Sequence, residues 1–163
     1  MKKLIVVLMG TALSLCLFGC SSGDQNNSNE SDQSQAEIVY AYMTDPSVVE
    51  VMQKMNGRFE IMLDKFESGQ YEEADSDCVS AINACNEVLE MKEVPDQAKA
   101  AHEKVCEVAQ SFCDTFFCYE VASGAMQTGD VKEAASKIEE ANGYYGELAD
   151  KMNDVSSLLE TYK

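Results

Sequence analysis

The chain has 163 residues and is strongly acidic, with 29 Asp and Glu against 12 Lys and Arg for a formal net charge of −17. Such a surface repels phosphate backbones and anionic lipid, and the basic residues occur singly, so neither nucleic-acid binding nor electrostatic membrane attachment is expected. One histidine and seven cysteines leave little material for hydrolytic catalysis but an ample supply of thiols.

The chain opens MKKLIVVLMGTALSLCLFGC: two lysines, an apolar run from Leu4 to Phe18, then Gly19 and Cys20. A charged start followed by an apolar run is the pattern of an export signal. The run is shorter than the roughly 20 residues a membrane-spanning helix needs, so residues 1–20 are expected to be a signal peptide. Its end, Leu17-Phe18-Gly19-Cys20, resembles the lipobox of bacterial lipoproteins. The resemblance implies cleavage before Cys20 and a lipid on that cysteine, which would place the mature protein at the cell membrane, facing the extracytoplasmic side. Cys16 lies within the removed segment.

Residues 21–35, SSGDQNNSNESDQSQ, contain no apolar side chain, so nothing offsets the entropy of ordering them and a flexible polar linker is expected. Losing residues 1–20 removes Lys2 and Lys3 and no acid, leaving 10 basic against 29 acidic residues, a net charge of −19. With that charge the membrane link has to be covalent.

Residues 36–163 are expected to form one helical domain, because their apolar residues recur at three-and-four spacing with no strand-like alternation. A short segment, Glu37 to Met43, precedes a break at Thr44-Asp45-Pro46, where a capping side chain is followed by a proline suited to a first turn. The first full stripe is Val48, Met52, Met55, Phe59, Met62 and Phe66. The second is Tyr71, Ala74, Cys78, Ala81, Cys85 and Val88. The third opens with Ala98, Ala101, Val105, Val108 and Phe112 and broadens through Phe116 and Phe117 toward Met126. The fourth runs from Val131 through Ala134, Ile138, Ala141, Tyr145, Leu148, Met152, Val155 and Leu159 to Tyr162.

Gly69 and Gly129 stand where helices should stop, Asp130 and Glu133 have capping-box spacing, and Pro95-Asp96 marks the middle connection. The segments SGQYEEADS and TGDVKEAAS align sixty residues apart, matching Gly69 with Gly129, Glu73 with Glu133, Ala74 with Ala134 and Ser76 with Ser136. ESGQYEEA also resembles the inter-helix turn of tetratricopeptide repeats, but the 34-residue period is absent, which leaves a shared turn solution. Two related helical hairpins predict an all-α, antiparallel up-down-up-down four-helix bundle.

Cys78 and Cys85, like Cys106 and Cys113, lie seven positions apart on one helix, about 10.5 Å along its axis and beyond disulfide reach. Partners must therefore sit on different helices. For a tight hairpin centred at Pro95-Asp96, Cys78 faces Cys113 and Cys85 faces Cys106, both pairs of residue numbers summing to 191. Small Ala81, Ala84 and Ala109 allow close approach, and an exported location allows two disulfides, the inner one stabilising by about 3 kcal/mol. Alternatively, Cys78, Cys85, Cys106 and Cys113, with His102 four residues before Cys106, would bind Cu(I) or Zn(II). That set resembles copper-storage bundles, whose cores are lined with cysteine at higher density. The third reading is buried free thiols, and Cys118, outside the pairs, fits it directly.

His102 alone could serve a Ser-His-Asp or Cys-His mechanism, and no nucleophile motif surrounds it; by itself it reads as a helix-surface histidine. Glu72-Glu73 and Glu139-Glu140 are helix neighbours whose side chains diverge, and no Gly-rich phosphate loop occurs. No enzyme and no cofactor is expected. The reading is a lipid-anchored extracytoplasmic binding or scaffold lipoprotein with a protein or small-ligand partner, the alternative a thiol-based metal-binding bundle.

Overall fold

The computed structural model describes residues 30–162, and among them all regular structure is helical, with no strand. The expected signal peptide, Cys16, Cys20 and most of the expected polar linker lie outside the described residues. Helix α1 spans Glu30–Met43, so it starts inside the stretch expected to be linker. The helix is anchored from its far end, where Val39 and Tyr42 are buried.

The break after α1 follows the capping rule. Asp45 Oδ1 accepts from Ser47 N–H at 2.9 Å and Pro46 opens α2, Pro46–Val49. A π-helical turn, Glu50–Lys54, carries the chain into α3, Met55–Glu67. No residue pattern announces that wider turn. It leaves the expected stripe intact, since Val48, Met52, Met55, Phe59, Met62 and Phe66 are all buried.

Helices α3 and α4, Tyr71–Leu89, are joined by one glycine turn, and α5, Lys99–Thr128, and α6, Val131–Glu160, by its copy. Gly69 at φ 79° and Gly129 at φ 82° adopt the left-handed conformation that other residues disfavour. In the first turn Gln70 N–H donates to Lys65 C=O at 2.9 Å and Gly69 N–H to Phe66 C=O at 3.1 Å. In the second, Asp130 N–H donates to Ala125 C=O at 2.8 Å and Gly129 N–H to Met126 C=O at 3.2 Å. Both are Schellman turns, which is the physical content of the sixty-residue repeat. Asp130 Oδ1 then accepts from Glu133 N–H at 3.0 Å, restarting the helix as its spacing predicts.

The middle connection is built differently. α4 ends at Leu89 without a left-handed residue, Met91 and Val94 fold back half-buried against the core, and a 3-10 turn, Asp96–Ala98, leads into α5. Side-chain contacts through α3 set the height of α4 against α5. Arg58 Nη1 donates to Ser80 Oγ at 3.2 Å, while the neighbouring Phe59 packs edge-on against Phe116 with ring centres 6.0 Å apart. Ser80 is therefore level with the turn of α5 between Phe116 and Tyr119, residue numbers summing to 196 or more rather than 191. α5 overshoots the end of α4 by about two turns, and that overhang is taken up by α1, which packs on the 3-10 turn and on His102.

One core runs through the molecule. Phe59 stacks on Tyr145 of α6 at 4.4 Å and meets Tyr119 of α5 edge-on at 5.5 Å, while Phe66 touches both Tyr71 and Tyr119. Each such buried ring contributes about 1.5 to 3 kcal/mol of transfer free energy. The fourth stripe is buried at Ala134, Ala141, Leu148, Met152 and Val155. The third is placed differently from expectation: its buried face also takes in Ala109, Ser111, Thr115, Cys118 and Tyr119, whereas Phe117, one step around the helix from buried Phe116, is 54% exposed.

Candidate functional site

The shifted register decides the fate of the cysteines. Cys78, Cys85, Cys106, Cys113 and Cys118 are all free thiols, and neither Cys78–Cys113 nor Cys85–Cys106 is bonded. Both pairings assumed a tight turn at Pro95-Asp96. With Ser80 level with the turn between Phe116 and Tyr119, each pair is offset by at least five residues, roughly 7 Å or more along the axes. Cys78 lies near Glu120 and Tyr119 instead, and Cys85 near Cys113. Burial, then the Asp75 and Glu120 charges, push the Cys78 thiol far up; burial, then Cys113, push Cys85 up to about 12.

The metal-binding alternative needed Cys78, Cys85, Cys106, Cys113 and His102 to converge. Among the described residues no three His, Cys, Asp or Glu side chains come together closely enough to hold one ion. Cys118, level with Cys78 along the axes, is turned toward α6, where Glu140 and Lys137 bear on it. It is buried, as a small apolar side chain.

His102 is not a free surface histidine. Tyr42, at the buried end of α1, places its Oη 2.8 Å from His102 Nδ1, and the two rings meet edge-on at 5.7 Å. Cys106, one turn along α5, holds Sγ 3.4 Å from His102 Nε2. Burial, then the Cys106 and Asp45 charges, raise the Tyr42 phenol well above its usual range, so it stays protonated. With Tyr42 O–H donating to Nδ1, the neutral ring carries its proton on Nε2, and the sulfur, 3.8 Å from Nδ1 as well as 3.4 Å from Nε2, lies beside the ring rather than in line with that N–H.

Among the described residues, this row brings a thiol, an imidazole and a phenol from α1 and α5 together. Burial lowers His102 against the opposing pull of Glu103, and burial followed by Glu103 raises Cys106. Both shifts favour neutral thiol beside neutral imidazole over a thiolate–imidazolium pair, so the row lacks an activated nucleophile. Its physical effect is to fasten α1 to the overhanging start of α5.

The His102–Cys106 spacing was legible, whereas Tyr42 was not, because its partner lies sixty residues away. Other polar ties are structural in the same way: Lys151 Nζ donates to buried Ser111 Oγ at 2.6 Å across α5 and α6, and Arg58 pairs with Glu50 of the π-turn. Glu72, Glu73, Glu139 and Glu140 are exposed. No protein-family model, no curated protein and no solved structure matches the chain.

Proposed function

We propose that the chain is a lipid-anchored extracytoplasmic lipoprotein, held at the cell membrane through Cys20 and acting as a non-enzymatic binding or scaffold module for a protein or small-ligand partner. The observation that carries this reading is Leu17-Phe18-Gly19-Cys20 directly after Lys2, Lys3 and the apolar run. No described helix is long and apolar enough to cross a membrane.

The module itself is an antiparallel up-down-up-down four-helix bundle of α3, α4, α5 and α6, with α2 and the π-turn extending α3. Two glycine turns of one design and the Phe59–Tyr145 stack between the first and last helices support that arrangement. The acidic surface disfavours nucleic acid and anionic lipid as partners.

The test is fatty-acid labelling in the producing cell. The wild-type chain should take up labelled palmitate and fractionate with membranes, and Cys20→Ala should do neither. Incorporation of label into Cys20→Ala overturns the anchor.

A further inference from the structure

We infer that Cys85 and Cys113 are an oxidisable dithiol, a site of disulfide formation by exchange with an external disulfide, and that none of the other described cysteines joins in. The warrant is the register. Ser80 is level with the turn between Phe116 and Tyr119 through the Arg58–Ser80 hydrogen bond and the contacts of Phe59 with both rings, so five residues further along α4 Cys85 is level with the turn between Ser111 and Asp114. Cys113 lies in that turn, no more than two residues away, within about 3 Å along the axis. Packed helices 8–10 Å apart bring facing alpha carbons within about 4 to 5 Å, so this pair sits at about 5 to 6 Å, inside the disulfide range. The same reasoning puts Cys78–Cys113 and Cys85–Cys106 beyond about 8 Å. Cys113 is among the groups that bear on Cys85, which agrees with the two thiols lying near each other.

Access is ordered. Cys113 is half-buried and Cys85 is fully enclosed, so an external disulfide R–S–S–R meets Cys113 first. The Cys113 thiolate attacks one sulfur, forming Cys113–S–S–R and expelling R–S⁻. Cys85 loses its proton and its sulfur attacks Cys113 Sγ, expelling the second R–S⁻. The protein gives up two electrons and two protons, and the external disulfide leaves as two thiols. Nothing in this step depends on Cys20, although an extracytoplasmic location would supply the oxidant.

The test uses the full-length chain with Cys16→Ser and Cys20→Ser, so that its outcome is independent of lipidation. The reduced protein is incubated with oxidised glutathione, denatured, alkylated and mapped by mass spectrometry. The expected product is a Cys85–Cys113 linked peptide two hydrogens lighter, with Cys78, Cys106 and Cys118 alkylated. Adding Cys78→Ser, Cys106→Ser and Cys118→Ser should leave the bond unchanged. Cys113→Ser, at the half-buried position and checked for helical dichroism, should leave Cys85 as an alkylatable thiol. A Cys78–Cys113, Cys85–Cys106 or Cys78–Cys118 bond overturns the inference, as does lasting glutathione on Cys113 or no loss of thiols.

Discussion

Two of the connections between the described helices are near copies, and the one between α4 and α5 is unlike them. At Gly69 and Gly129 a left-handed residue and two crossed hydrogen bonds reverse the chain within a few residues, so each helix is fixed in height against the next. Between α4 and α5 the segment from Glu90 to Pro95 has no such device, and the helices slide by at least five residues, roughly 7 Å or more, from the symmetric position. Where turn chemistry is specified locally, register follows from it. Where it is not, register is set by whichever side chains interlock, here Arg58 with Ser80 and Phe59 with Phe116.

The largest effect that separates these cases is expected at Phe59. It touches Phe116, Tyr119 and Tyr145 at once, so it joins the two hairpins that no turn holds together. Phe59→Ala should cost about 3 to 5 kcal/mol, read as a fall in the urea midpoint at unchanged slope. A loss below about 1 kcal/mol would mean that the middle connection, not the interlock, sets the register.

The turns themselves come next. Gly69→Ala and Gly129→Ala meet open space, so the cost is conformational alone, about 1 to 2 kcal/mol each for an L side chain held left-handed. Equal losses at both positions would support the repeat as one turn used twice. Markedly unequal losses would mean that the Phe66–Tyr71 contact beside the first turn, without a counterpart at exposed Val131, supplies much of its stability.

Much of this contrast was legible in the sequence, and the failures have one origin. Buried stripes, the Asp45 and Asp130 caps and the glycine stops depend on residues within a few positions of each other, and they appear where spacing put them. The α4–α5 register, the Tyr42–His102 bond and the exposure of Phe117 depend on how separate helices meet, which no local pattern encodes. The π-turn likewise has no signature in EVMQK. The candidate site was thus half visible: His102 and Cys106 by their helical spacing, Tyr42 and the Cys85–Cys113 juxtaposition only once the helices were docked.

The α1 fastening gives a smaller, pH-dependent effect. Burial holds His102 below its ordinary value near 6.5. As pH falls below about 6.5 the unfolded chain takes up the proton first, so stability is lost through that window down to the folded value, and His102 adds nothing above it. The groups bearing on this site are Glu103 and Cys106 of α5, Tyr42 of α1 and Asp45 behind it. The wild type should therefore lose stability between pH 7.5 and 5.5 relative to His102→Gln, measured by urea unfolding at each pH. A wild type that gains on His102→Gln as pH falls would reverse the assigned sign.

The smallest expected effect is the sharpest test of the contrast. Lys92 and Glu93 are exposed between half-buried Met91 and Val94, so inserting Gly-Ser between them lengthens the middle connection at its most exposed point. Loop entropy charges only about 0.2 kcal/mol for two added residues at this length, and the interlock at Phe59 and Arg58 is untouched. The same insertion between Gly69 and Gln70 separates the two donors of the Schellman turn and displaces α4 along α3, with the Lys65–Asp77 ion pair and the Arg58–Ser80 bond lost together. Urea midpoints should be nearly unchanged for the first insertion and clearly lowered for the second. Glutathione oxidation then reports register directly, since the insertion after Lys92 should still yield the bond between Cys85 and Cys113, counted in the original numbering. If that insertion instead shifts the bond to Cys106, the connection governs how α4 and α5 are aligned, and the glycine turns are not special.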